Sequence, residues 1–198
     1  MEPITQFSQL DLSKSYTYAD YLTWKFEEFV ELIRGKVTRP MAGPSHQHQV
    51  LSTNILRQLL PVLRRSPCQV YHALFDVRLV RGGANGDQQI RTVVQPDICV
   101  VCDPAKLDDR GCVGAPDWIV EIVSPGNTAH DTKTKFDLYE ENGVREYWIV
   151  YPGLKTITAY VLENEQYELA GEYIEPGALP VATLPSLSLE WAEIFEGA

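Results

Sequence analysis

The sequence predicts a mixed fold of the α/β (α+β) kind, a mixed central β-sheet flanked by helices. Three observations carry that reading. Ile98 to Cys102 and Trp118 to Val123 are short, apolar in both parities and bounded by Pro and Gly, as central strands are. Leu51, Ile55 and Leu59 recur every four residues, the stripe of an amphipathic helix. Phe75, Val77 and Leu79 alternate with Asp76 and Arg78, a strand with one wet face.

The elements follow in order. Thr17 with Asp20 three residues later forms a capping box, which opens a short helix through Tyr21 and Leu22. Phe29 to Ile33, then Arg34-Gly35, then Lys36 to Thr38 reads as strand, turn, strand. Ser45 caps the helix that carries Leu51, and Pro61 should end or kink it. The run from Gly82 to Asp87 is a turn or loop. After the two apolar strands, Thr128 to Asn142 is a helix stopped by Gly143. Val144 to Val150 returns as a strand, and Thr156 to Leu162 with Gln166 to Leu169 forms a hairpin.

With 198 residues, the chain fits a single domain with a substantial core. No apolar run approaches the length of a membrane span, so no membrane role is expected. The first residues have neither a basic cap nor an apolar segment, which makes the cytoplasm the expected location. A net charge of −10 argues against a general nucleic-acid binder, though not against a local basic groove. Cys99 and Cys102 form a CxxC, but residues three apart on a strand point to opposite faces and cannot share a metal. They read as buried thiols packing as small hydrophobes. His46 and His48, two apart on a helix, likewise diverge.

Two acids do not fit a bland domain. Glu121 is flanked by apolar residues in both parities, so on a central strand its carboxylate is buried whichever face it takes. A buried charge must be paired, protonated or bound to a metal. Asp97 stands after Pro96 at the mouth of the preceding strand. On adjacent strands, about 4.8 Å apart, two such acids can reach one ion. A hard divalent ion with oxygen ligands, Mg²⁺ or Mn²⁺, suits them. Taken singly, Asp97 also reads as a turn residue and Glu121 as the partner of an internal Arg. At 100° per residue, Thr132, Lys135, Phe136 and Tyr139 share one helix face, while Lys133 falls with Asp137, Glu140 and Glu141 on the other. Lys135 is therefore the lysine that should meet the acids, and Lys133 a solvated partner of Asp137.

An acid after Pro, an acid inside an apolar strand and a lysine facing both resemble the PD-(D/E)XK nuclease superfamily. The run Val120-Glu121-Ile122-Val123-Ser124-Pro125, then Asp131, Lys135 and Tyr139, then Gly143-Val144-Arg145-Glu146-Tyr147-Trp148, resembles more closely the Uma-type restriction endonuclease family, from about Tyr18 to Phe195. The resemblance implies a restriction endonuclease-like fold. It also implies that Asp97 and Glu121 hold a metal with the backbone carbonyl of Ile122. Lys135 would replace the superfamily lysine, whose usual place is Val123 here. Glu31 and His46 match positions where such proteins carry an acid and a histidine near the site.

The expected activity is metal-dependent hydrolysis of DNA phosphodiester bonds, with Mg²⁺ or Mn²⁺ as cofactor and a homodimer as the form that cuts both strands. DNA binding by so acidic a protein requires its cations to gather near the site, with Arg64, Arg65, Arg78, Arg81, Arg91 and Lys135 as candidates. The rival reading is a catalytically silent nuclease fold, kept as a binding or regulatory module. The acidic charge favours the rival, and the intact Asp97, Glu121 and Lys135 set favours the enzyme.

Overall fold

The two apolar segments lie side by side as inner strands, and the chain is organised around them. The computed structural model describes residues 3–39, 43–80, 86–124 and 129–198, the first three of the last segment in backbone only. In chain order the elements are α1 (Tyr18–Tyr21), β1 (Glu31–Ile33), β2 (Lys36–Thr38), α2 (His46–Leu63), β3 (Gln69–His72), β4 (Val77–Arg78), β5 (Val93–Val94), β6 (Ile98–Val101) and β7 (Leu107–Asp108). They continue with β8 (Gly111–Val113), β9 (Trp118–Ile122), α3 (Ala129–Asn142), β10 (Glu146–Tyr151), β11 (Thr156–Glu163), β12 (Gln166–Tyr173), β13 (Ala178–Pro180), β14 (Ser188–Glu190) and α4 (Trp191–Ile194).

Where one sheet was expected there are two large ones. The main sheet has the order β12-β11-β10-β9-β6-β3, with β9 and β10 parallel and the other pairs antiparallel. The α3 helix is the crossover that the parallel pair requires. The second sheet, β2-β1-β5-β4-β8-β7, is mixed as well, with β4 and β8 parallel. All six of its strands are only two or three residues long, too short for a hydrophobic period to reveal them.

The main sheet is apolar on both faces because it is covered on both. One face takes Leu51, Ile55, Leu59 and Leu63 of α2, packed on Ile98, Val100, Trp118 and Val120. The other takes Leu138 and Tyr139 of α3 with Val77 and Val94 of the second sheet, packed on Cys99, Val101, Ile119 and Ile149. Glu146, 1% exposed at the start of β10, accepts from Trp148 Nε1, from the backbone of Ala182 and Thr183, and from the Thr183 hydroxyl.

Local signals behave as their chemistry predicts. Thr17 and Asp20 form the reciprocal capping box of α1. Arg34 and Gly35 both have positive φ between β1 and β2, and a Cβ on Gly35 would stand 2.1 Å from Ser15 Oγ. At the end of α3 the Val144 N–H reaches the Tyr139 carbonyl and the Gly143 N–H that of Glu140, a Schellman close with Gly143 left-handed.

Other expectations are corrected. The α2 helix runs past Pro61 to Leu63, because the proline disturbs only the final turn while Leu59 and Leu63 stay buried. Arg78 is not on a wet face but 1% exposed, since α1 and the second sheet cover it. Its guanidinium donates to Asp108 and to the Cys112 carbonyl and lies over the Tyr18 ring. Cys99 is a buried free thiol, whereas Cys102 is bonded to Cys68. The antiparallel register Gln69↔Val101, extended by one step, sets Cys68 opposite Cys102. The loop from Gly82 lies, up to Ala84 and Asn85, outside the described residues.

Candidate active site

Five elements bring the site together. The register Ile98↔Val120 of β6 and β9, extended by one step, sets Asp97 opposite Glu121 on one face. There the ladder gives way to a side chain: the Ile122 N–H donates to Asp97 Oδ2 at 2.7 Å. A strand residue's N–H and C=O face the same edge, so the Ile122 carbonyl faces the Asp97 edge as well. His48, in the first turn of α2, places Nε2 3.0 Å from the same Asp97 oxygen.

The inner face of α3 supplies the donors for Glu121. Lys135 Nζ donates to Glu121 Oε1 at 3.1 Å, and Tyr139, one turn on, donates its hydroxyl to the same oxygen at 2.5 Å. Lys135 also reaches Glu31 of β1 at 2.6 Å, and Glu31 Oε1 accepts the Gln95 N–H. Lys133 is paired with Asp137 at 2.8 Å on the outer face, as the helix-wheel argument requires. Asp131 lies where side chains are not described.

Each acid thus has one oxygen engaged: Asp97 Oδ2, Glu121 Oε1 and Glu31 Oε1. The other oxygen of each accepts no hydrogen bond among the described residues. Among those residues no three His, Cys, Asp or Glu groups close into a metal cage. The Lys135 ammonium bridges two of the acids. The free oxygens nevertheless suit a hard ion that draws single oxygens from several ligands.

The site is shielded: the side chains of Glu31, Asp97, Glu121 and Lys135 are 15–19% exposed. Burial pushes the Glu121 carboxyl up to about 7. Lys135 and the Tyr139 hydroxyl oppose that rise, and the Asp97 and Glu31 charges add to it. Burial pulls on Lys135 in the opposite sense, but Glu121 and Glu31 outweigh it and hold the ammonium above its ordinary value. His48 is likewise pulled down by burial, and the hydrogen bond and charge of Asp97 raise it above the ordinary range.

Asp97, Glu121, Lys135 and Glu31, all expected at the site, are assembled there, and His46 is not. It is the exposed first residue of α2, and His48 takes the place it was given. The signal was present: His48, Leu51, Ile55 and Leu59 lie on one helical stripe, so the buried histidine is the one in phase with the leucines. Tyr139 and Gln95 were also not assigned. Of the cations expected to rim the site, Lys135 is in it. Arg64 and Arg65 end α2, sixteen or more residues from His48, which at 1.5 Å per residue is roughly 24 Å along the axis. Arg78 is buried against Asp108, Arg91 donates to Ser15, and Arg81 is outside the described residues.

The carboxylate–lysine cluster lies where the two sheets of this α+β domain meet. Residues 18–192 match the family described as "Uma2: Putative restriction endonuclease", and the chain belongs to that family. The crystal structure of a protein from Anabaena variabilis, titled a "putative nuclease belonging to DUF820", shares the fold with a TM-score of 0.69. It is 22% identical and covers 91% of this chain and 97% of its own. An "Uncharacterized protein slr1290" of Synechocystis is 26% identical over 125 residues, 62% of this chain and 61% of that protein, so the chain spans less than two thirds of this relative.

Proposed function

We propose that this protein is a divalent-metal-dependent endonuclease that hydrolyses phosphodiester bonds in DNA. The observation that carries the reading is the set of three carboxylates around a charged lysine, each with one oxygen tied to the protein and one that accepts no hydrogen bond among the described residues. Asp97 and Glu121 would hold the ion, with the Ile122 carbonyl. A bound Mg²⁺ or Mn²⁺ would polarise a phosphate oxygen and lower the pKa of a water. The remaining work falls to the chain. His48 and the Ile122 N–H fix Asp97, and Tyr139 fixes Glu121. The Lys135 ammonium, kept charged by two acids, orients the attacking water and neutralises charge that develops on the phosphoryl oxygens. Attack of water on phosphorus breaks one ester P–O bond and leaves a phosphomonoester and a hydroxyl.

The family supports nuclease chemistry, and DNA as substrate goes with it. Lys135 already bridges two acids, so the DNA contact expected here is weak. Cutting both strands calls for two sites, so the double-strand-cutting form is a symmetric homodimer. The test is a plasmid assay with Mg²⁺ or Mn²⁺ that compares the wild type with Glu121→Ala. Nicked or linear product from the wild type alone is expected. No product at low salt from either would leave the silent binding module as the reading.

A further inference from the structure

The Tyr139 hydroxyl does more than fix Glu121. It is donated to Glu121 Oε1, which already accepts Lys135 Nζ. The ring is fully buried and edge-on to Tyr147 at 5.0 Å, and the Schellman close of α3 pins the Tyr139 carbonyl. The hydroxyl is therefore held rigidly. With two donors on Oε1, Glu121 can offer an ion only Oε2.

We propose that Tyr139 is a positioning residue that restricts Glu121 to one-oxygen ligation and thereby sets which ion the site accepts. The inference rests on the metal reading above. A carboxylate that presents one oxygen suits Mg²⁺ or Mn²⁺, which take near-octahedral shells of single oxygens. Ca²⁺ is larger, takes six to eight oxygens and readily uses both oxygens of a carboxylate. Tyr139 thus biases the site towards the smaller ions through Glu121, without touching the ion.

The test is calorimetric titration with Mg²⁺, Mn²⁺ and Ca²⁺ in the absence of nucleic acid. Wild type should bind Mg²⁺ or Mn²⁺ more tightly than Ca²⁺. In Tyr139→Phe the Mg²⁺ and Mn²⁺ affinities should fall about tenfold or more, as when a group that orients a metal ligand is lost. Ca²⁺ affinity should fall less, so the preference narrows. Tyr167→Phe is the control: it removes a buried hydroxyl, donated to the Val144 carbonyl, from the same aromatic cluster. Its ion affinities should match wild type. Unchanged affinities in Tyr139→Phe, or equal losses for all three ions matched by Tyr167→Phe, would overturn the proposal. Should Tyr139→Phe not fold, the wild type still decides: Ca²⁺ binding as tight as Mg²⁺ overturns it. A wild type that binds no divalent ion overturns the metal reading and this inference together. Normal Mg²⁺ binding with no role for Tyr139 overturns this inference alone.

Discussion

Lys135 meets Glu31 at 2.6 Å across 104 positions of sequence, and the same ammonium holds Glu121 at 3.1 Å. One cation from α3 therefore ties β1 of the second sheet to β9 of the main sheet. Lys133, two residues earlier, is 73% exposed and touches neither acid.

From that contrast, Lys135→Met should abolish any nuclease activity, and Lys133→Met should leave it intact. Lys135→Met should also destabilise the protein by about 3 kcal/mol at neutral pH, since two shielded carboxylates lose their counter-charge. Paired activity and thermal-melt measurements check both parts, and comparable losses in the two variants would contradict the helix-face assignment.

Divalent metal should raise the melting temperature of the wild type but not of Glu121→Gln. An ion that binds only the folded state stabilises it by about 2.7 kcal/mol at a hundredfold excess over its dissociation constant. Equal shifts in the two proteins would remove Glu121 from the ligand set.

The ion effect should depend on pH. The folded Glu121 carboxyl is raised to about 7, so the folded state favours the protonated form. Without metal, this group's stabilising contribution is complete below its ordinary carboxyl range and is lost as pH rises through about 7. Ion binding needs the carboxylate, so affinity should climb as pH rises through the same window. Melting shifts with Mg²⁺ should be larger at about pH 8 than at about pH 6, and a flat profile would contradict the shift.

His48→Ala should weaken ion affinity about tenfold by freeing Asp97, whereas His46→Ala should not change it. Titration of both variants decides which histidine belongs to the site.

Cys68→Ser should cost about 4 kcal/mol when the wild type is oxidised, from the sequence separation of 34 that the bond closes. Disulfides persist in oxidising compartments and are rare in reducing ones, so alkylation and mass spectrometry of protein taken from cells will show whether the pair is joined where the protein resides.

The inner strands were legible because burial on both faces leaves an unmistakable run of apolar residues, and Glu121 stood out against it. Lys135 was legible from helical phase. Resemblance marked a neighbourhood and named His46, which lies exposed, whereas phase with Leu51 and Ile55 picks out His48, the histidine that reaches Asp97. The Cys68–Cys102 bond and the second sheet depend on register between distant segments, and strands of two residues carry no period to read.

The Lys135 bridge has a consequence for how the molecule matures. Asp97 and Glu121 belong to one sheet and Glu31 to the other, so no folding intermediate with a single sheet in place possesses the complete pocket. What needs both layers is the Lys135 ammonium, whose full pairing with Glu31 and Glu121 is complete only once the two sheets have docked. A destabilised variant that keeps its secondary structure but lets the layers breathe would look native by circular dichroism and yet leave Lys135 without Glu31.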